Sequence, residues 1–485
     1  MYKAQFELEA ITPIFMRGAD QSQAEIRASS IKGLMRWWFR ALVGSYFGDD
    51  VEGLRKAEEY VFGSTKRRSK VVVEVKSPKP RKFDYDIKDI KFDFRKRRLR
   101  PVVYPKIREV NNQDQQVGLP SYLFFSVKML IDELAKTTLE NVLAERGIRN
   151  EFKDEKQMRK ILSKKGLSYP DDVNRVFREK FDENVLEYYP HGENFEICVG
   201  SYDILAFKLA IASLWFLSNY GGIGFRSRRG AGSILVTEIK KVQPQEFKKE
   251  IEELFGYTWK ELTNASKFWQ DSIQEIYKIY GSKKENQLLY PTIESIIVLE
   301  KDGYENHLEA LEDLEKAYAG VLNKSRYRYE NGVRFVFADR KGFSHKIIGN
   351  FKNLNNVTDV ETSERRFYFG LPLIYANWSV QVLGYNVKNP REPYTRRASS
   401  VILTVKKREE RYIPLVVIVP YQFLPKHDGR LVLSKGKIGK KTIRILKEKD
   451  SQPPDNKWFI QWLERDVVRE FENRGFVKVY PMGGE

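Results

Sequence analysis

The chain has 485 residues, too many for one ordinary hydrophobic core, so two or three domains are expected. Its 41% hydrophobic content excludes disorder throughout, and Lys and Arg outnumber Asp and Glu by 85 to 66, a net charge of +19. That excess favours a polyanionic partner, nucleic acid above others, although 31% charged residues also suit a heat-stable surface. The single cysteine, Cys198, excludes an intramolecular disulfide framework and thiolate zinc sites.

In chain order, residues 3–8 alternate polar and apolar and predict a half-buried strand. After an irregular stretch from Pro13 to Ala28, Ser29-Ser30 offers an N-cap for a helix from Ile31 to about Ser45, whose Ile31, Leu34, Met35, Trp38, Ala41 and Leu42 form one apolar face. A helix over Glu52–Phe62 and a strand over Lys70–Val75 follow. Residues 78–120 are basic and rich in turns, and 121–189 read as a mainly helical, charged insertion on the outside of the first domain. A second strong helix is expected over about Tyr202–Asn219, with Ile204, Phe207, Ile211, Leu214 and Trp215 on one face, then a glycine-rich loop and a strand over Ser233–Ile239.

Two helices against one antiparallel sheet is the split βαβ pattern of ferredoxin-like, or RRM-like, domains. The first domain is thus assigned to residues 1–245 and a helical connector to 246–284. A second, more diverged βαββαβ unit is assigned to 285–485 from Ile293–Leu299, His307–Leu322, Val401–Val405, Ile413–Val419, Lys457–Asn473 and Val477–Tyr480. The fold class expected is α+β, two ferredoxin-like domains with helical insertions. An echo between Arg228-Arg229-Gly230-Ala231-Gly232-Ser233-Ile234 and Arg396-Arg397-Ala398-Ser399-Ser400-Val401-Ile402 hints at duplication.

The most informative stretch is Gly222-Ile223-Gly224-Phe225-Arg226-Ser227-Arg228-Arg229-Gly230-Ala231-Gly232-Ser233. Gly222, Gly224, Gly230 and Gly232 allow close backbone approach to a ligand, and Arg226, Arg228 and Arg229 carry planar forks suited to phosphate oxygens. It is not a dinucleotide turn, because it leads from a helix into a strand, and it lacks the Gly-Lys-Ser/Thr ending of a P-loop. The same residues also fit a tight surface turn with incidental arginines.

On the first helix, Lys32, Arg36 and Arg40 stand at i, i+4 and i+8, a cation stripe opposite the core, with Gly33 between them. Trp37 and Phe39 flank the core stripe, where rings either stack on unpaired bases or widen the buried face. Lys66–Lys70 and Arg95–Arg100 are further basic runs, fit for RNA, an acidic protein or solvent. Asp49 and Asp50 read as a helix-capping turn, and His191, His307, His345 and His427 show no metal-ligand spacing. No catalytic residue, metal site or cofactor is indicated.

The Ile31-Lys32-Gly33-Leu34-Met35-Arg36-Trp37-Trp38-Phe39-Arg40 segment and the Gly222–Ser233 loop resemble the RAMP superfamily of CRISPR systems. Within it, the chain is similar to the first-numbered subunit of the type III-B (Cmr) effector complex, which carries two fused RRM-like domains. The resemblance implies a non-catalytic, RNA-binding subunit of a ribonucleoprotein complex in antiviral defence, beside other RAMP subunits and near the 3′ region of the guide. Guide (CRISPR) RNA, target RNA or both would be the ligand. Its implied RNA contacts are Lys32, Arg36, Trp37, Trp38 and Phe39, with Gly222, Gly224, Arg226, Arg228, Arg229, Gly230 and Gly232. Periodicity, by contrast, buries Trp38. The rival readings are a metal-independent guide-processing endoribonuclease, with His191 the nearest histidine, and a pure assembly subunit. No stretch approaches the ~20 apolar residues of a membrane helix, so a cytoplasmic protein without a membrane partner is expected.

Overall fold

The structure is a computed structural model that describes residues 1–18, 23–82, 86–104, 109–110, 116–117, 123, 125–183, 186–282, 292–324, 327–330, 333–336, 373–375, 380–386, 398–420, 429–435, 442–445 and 463–480. Its first sheet is built from β1 (Tyr2–Ala10), β2 (Val71–Lys76), β3 (Asn194–Ser201) and β4 (Ile234–Gln243) in the antiparallel order β4-β1-β3-β2. The alternation read at residues 3–8 places Ala4, Phe6 and Leu8 inward and Lys3, Gln5 and Glu7 outward.

Two helices cover the inner face, α1 (Ala28–Phe47) and α6 (Ile204–Tyr220), giving the βαββαβ arrangement. Arg27, not Ser29 or Ser30, stands at the N-cap of α1, so that end has no side-chain cap. Asp203 caps α6 by accepting from the Ala206 amide at 2.9 Å. Between α1 and β2 lies α2 (Val51–Phe62), and α7 (Phe247–Gly256), α8 (Leu262–Ser266) and α9 (Gln270–Tyr280) follow β4.

The second sheet uses β5 (Ile297–Glu300), β6 (Val401–Arg408), β7 (Arg411–Ile418) and β8 (Val477–Tyr480) in the antiparallel order β6-β7-β5-β8. Helix α10 (His307–Lys324) follows β5, and the helical stretch Leu463–Val468 with Arg469–Glu472 precedes β8. Strand order and connection repeat those of the first domain, a second βαββαβ unit. The Arg396-Arg397 half of the sequence echo lies outside the described residues. Its continuation, however, meets its counterpart directly: Arg229 bridges Leu403, and the Gly230 amide donates to the Leu403 carbonyl at 2.9 Å.

The β-strand period of two explains how the domains join. Leu299, Leu403, Val416 and Ile418 face α10, whereas Val298, Ile402, Leu415 and Val417 face the core that contains α6. Helix α6 therefore lies between two sheets, and the one apolar face expected of it is too narrow. Leu205, Leu209, Phe216 and Leu217 are buried as well as Phe207, Ile211, Leu214 and Trp215. A helix apolar all round is a fully buried helix. Among the described residues, no helix is long and apolar enough to cross a membrane.

The insertion contributes α3 (Phe125–Ala144), α4 (Glu155–Lys164) and α5 (Asp171–Glu183). It does not sit only on the outside of the first domain. Its core runs through Leu123 and Leu311 into that of the second, and the Leu123 amide donates to Glu315 of α10 at 3.0 Å. The basic, turn-rich stretch before it also holds a hairpin, Asp86–Asp93 with Arg98–Tyr104, that the sequence did not single out.

Candidate nucleic-acid interface

On α1 the cation stripe is largely spent within the protein. Lys32 Nζ donates to Ser69 Oγ at 2.6 Å and to the Val71 carbonyl at 2.7 Å, and burial, then the charge of Arg36, push its amine below the ordinary lysine value. Arg36 donates to the carbonyls of Phe62 (2.7 Å) and Gly63, at the C-terminal end of α2 where helix carbonyls lack partners. Arg40 pairs with Glu58 at 2.7 Å. These cations pin α1 to α2 and β2.

The aromatic residues divide as follows. Phe39 is 0% exposed and meets Phe62 edge to face, so it has no face for a base. Trp38, 2% exposed, stacks on Phe216 with centroids 5.7 Å apart and ties α1 to α6, as its periodicity required. Trp37 is half-buried, edge-on to Trp38, with the Arg228 guanidinium 4.3 Å from its ring centre. The RNA contacts implied for Trp38 and Phe39 are thus replaced by packing.

The glycine-rich loop follows α6 and doubles back on itself, with the Ile223 amide donating to the Gly232 carbonyl at 2.8 Å. Gly224 has φ +82°, and a Cβ there would stand 2.6 Å from the Phe15 carbonyl oxygen, an approach only glycine permits. The arginine forks face main-chain carbonyls. Arg226 Nε donates to Leu123 at 2.7 Å, Arg228 to Ser399 at 2.7 Å and Arg229 to Val401 at 3.1 Å. Gly222 and Gly230 are buried beside them.

A buried hydroxyl chain continues the joint. Thr12 donates to the Gly230 carbonyl at 2.6 Å and accepts from the Ser233 amide at 2.9 Å. Thr404 donates to the Gly221 carbonyl at 3.2 Å, so the 2.8 Å contact between Ser233 and Thr404 has Ser233 as donor. The loop expected to cradle phosphates is in this structure the hinge-pin between the domains.

What remains open is a cleft of about 540 Å³ beside that joint. Gly33 and Leu34 of α1 line it from one side, Gly224 and Phe225 of the loop from another, and Leu130 of the insertion from a third, with Arg17 at its edge. The two motifs, nearly two hundred residues apart in sequence, therefore meet at one apolar opening. Phe225 is 43% exposed, and a Cβ on Gly33 would meet nothing within 4 Å. Sequence reasoning passed over Phe225 because its glycine and arginine neighbours carried the signal, and over Arg17 because its stretch has no periodicity.

Neither sheet offers an RRM-type stacking platform. The second is covered on both faces. On the first, the outward positions of β1 and β3 are Lys3, Gln5, Glu7 and Glu9, and Asn194, Glu196, Cys198 and Gly200, none of them aromatic. Lys240 bridges Glu7 (3.0 Å) and Glu196 (2.8 Å) there, leaving a charge-matched surface that does not attract a polyanion.

Asp50 caps α2 through the Gly53 amide at 2.8 Å, the turn the sequence predicted. His191 sits at the domain joint. Its Nδ1 faces the Ile11 carbonyl at 3.2 Å, which can only accept, so Nδ1 donates there, and Nε2 hydrogen-bonds the Tyr412 hydroxyl at 3.0 Å. Among the described residues, no group of three or more His, Cys, Asp or Glu is placed to hold a metal ion.

Residues 7–236 match the RAMP superfamily. The CRISPR system Cmr subunit Cmr1-2 of Pyrococcus furiosus is 36% identical over 248 residues, 50% of this chain and 99% of that protein. Subunit Cmr1-1 of the same organism is 28% identical over 347 residues, 70% of this chain and 76% of its own length. Among solved structures, apo Cmr1 from Pyrococcus furiosus aligns over 99% of both chains at 21% identity with a TM-score of 0.49. A chain of the Type III-B Cmr-beta bound to cognate target RNA and AMPPnP aligns over 97% of this chain and 99% of its own at 16% identity, TM-score 0.45.

Proposed function

Because the chain belongs to the Cmr1 family of CRISPR Cmr-system subunits, within the RAMP superfamily, we propose that it is a non-catalytic RNA-binding subunit of a type III-B ribonucleoprotein effector complex. It takes guide or target RNA near the 3′ end of the guide, in antiviral defence, and assembles with other RAMP subunits. The observation that carries this reading is the convergence of the two motifs on the cleft of Gly33, Leu34, Gly224 and Phe225.

The chemistry of the opening suits an unstacked base beside its phosphate. Its walls are apolar, and Phe225 offers a ring face. Helix α1 begins beside it with no side-chain cap and no acidic residue in its first turn, so its positive dipole end favours an anion. A net charge of +19 adds sequence-independent attraction, while guide–target pairing would supply the sequence information. The non-catalytic reading is supported by His191, whose two ring nitrogens both serve the domain joint.

Gly33→Glu tests the cleft without endangering the fold. Glutamate is the better helix former by about 0.5–1 kcal/mol, so the variant should melt at or above the wild-type temperature. Its carboxylate at the cleft mouth should weaken binding of labelled single-stranded RNA by roughly ten-fold, and Phe225→Ala should do the same. Wild-type affinity in both variants across a salt series would remove the cleft as the RNA site.

A further inference from the structure

The hairpin Asp86–Asp93/Arg98–Tyr104 ends in Phe94-Arg95-Lys96-Arg97, none of which lines the cleft. We propose that this tip is a second contact for single-stranded RNA, with Phe94 stacking on an unpaired base and the flanking cations taking its phosphates. The inference rests on the RNA-binding reading above and adds to it a second site.

Three observations carry it. The first is the ring. Phe94 is 72% exposed, yet it is held in place edge to face on the buried Phe92, with centroids 5.1 Å apart at 89°. A ring kept at the surface in one orientation is ready to stack.

The second is the charge. Arg95, Lys96 and Arg97 are exposed, and among the described residues they form no ion pair. Lys91 and Arg100 stand directly opposite each other on the outer face of the hairpin, a like-charge pair that disfavours the pairing of its own strands. Among the described residues, the one ion pair that relieves it is a 3.9 Å contact from Arg100 to Asp93, on a face that also carries Asp89. The Asp93 carboxylate is itself committed to the turn, accepting from the amides of Arg95 (3.0 Å) and Lys96 (3.1 Å). A polyanion laid along this face would remove the repulsion.

The third is rigidity. Asn150 accepts from the Leu99 amide at 2.8 Å and donates to its carbonyl at 2.9 Å, and Asn174 accepts from Ile90 at 2.8 Å. The Phe152 amide donates to the Arg97 carbonyl at 2.9 Å, and Tyr169 donates to that of Ile90 at 3.1 Å. The insertion, through the connections between its helices and Asn174 of α5, thus clamps the stem on both strands, so a ligand at the tip meets little ordering cost. An acidic protein face would satisfy the cations but would have no use for a ring set among them, whereas aromatic and basic groups in alternation are how single strands are held without sequence preference.

The test uses the full chain and single-stranded RNA carrying 4-thiouridine. Crosslinks should map to residues 94–97, Phe94→Ala should weaken binding roughly ten-fold, and Phe94→Trp should restore it. The triple variant Arg95→Ala, Lys96→Ala, Arg97→Ala should reduce the salt slope by roughly 2, about 0.7 for each phosphate no longer neutralised. If Gly33→Glu and Phe225→Ala weaken binding while every tip variant binds as wild type, the tip inference fails and the cleft stands. If the wild-type chain binds no RNA, both fail. Loss in the triple variant alone, with Phe94→Ala unaffected and polyglutamate captured equally well, overturns the tip as an RNA site in favour of an acidic protein partner.

Discussion

Gly232→Ala should destabilise the protein by more than about 3 kcal/mol, because two costs coincide at one position. Its φ is +65°, a left-handed conformation that costs a non-glycine residue about 1 kcal/mol or more. A Cβ there would stand 1.8 Å from the carbonyl oxygen of Ile223, well inside any van der Waals contact, so one arm of the loop must move. That arm holds the amide of Gly232 against the Pro13 carbonyl at 2.9 Å and leads into Ser233, whose hydroxyl accepts from the Val405 amide at 3.1 Å. Moving it opens the joint between the two domains. Chemical denaturation should show the loss, and limited proteolysis should cut the variant faster between the domains. A Gly232→Ala protein as stable as wild type would mean that the loop does not pin the domains together. The contrast with Gly33, where added bulk meets open space, makes the two glycines mutual controls.

Lys406→Met should lower stability by about 2 kcal/mol at pH 9.5, and should be neutral or stabilising near pH 7. The amine is completely buried, donating to the carbonyls of Ser218 and of Gly221 (3.2 Å) at the C-terminal end of α6, and burial pushes its pKa down to about 7. The unfolded chain keeps that proton up to about 10.5, so between 7 and 10.5 the unfolded state binds more protons than the folded one. Stability from this group therefore rises with pH across that window and is lost as pH falls through it, by up to ~1.4 kcal/mol per pH unit. Methionine keeps the volume and removes both the donor and the titration. The stability of wild type relative to the variant should rise as denaturation curves are taken from pH 7 to pH 9.5. Parallel pH profiles would show that Lys406 does not titrate in the fold.

Much of the architecture could be read from the chain. Alternation at residues 3–8 and the Val-rich run at 71–75 placed two strands of the first sheet, and Val477–Tyr480 was located to the residue. The hairpin at Asp86–Tyr104 was missed because its outer face carries Lys91, Arg98 and Arg100, and a basic run conceals the alternation of Ile90, Phe92 and Leu99. Lys406 was passed over because it follows an apolar strand and looks like the solvent-facing end of it. In the fold that end enters the other domain.

By itself the sequence determined the two βαββαβ patterns, most of their helices and strands but not β3 (Asn194–Ser201), and the two motifs that mark the family. These follow from periodicity, capping and glycine placement, which act over a few residues. Only the tertiary structure decided what the functional-looking side chains do. A guanidinium binds a phosphate oxygen or a main-chain carbonyl with the same fork, and which one it meets depends on segments more than a hundred residues away. Hence Arg226, Arg228 and Arg229 hold Leu123, Ser399 and Val401. Likewise the faces of α1 are set by two neighbours, α2 and α6, which together bury Phe39 and Trp38 and leave Gly33 at an open cleft. Local pattern specifies which face is apolar, and only packing specifies how much of the helix is covered.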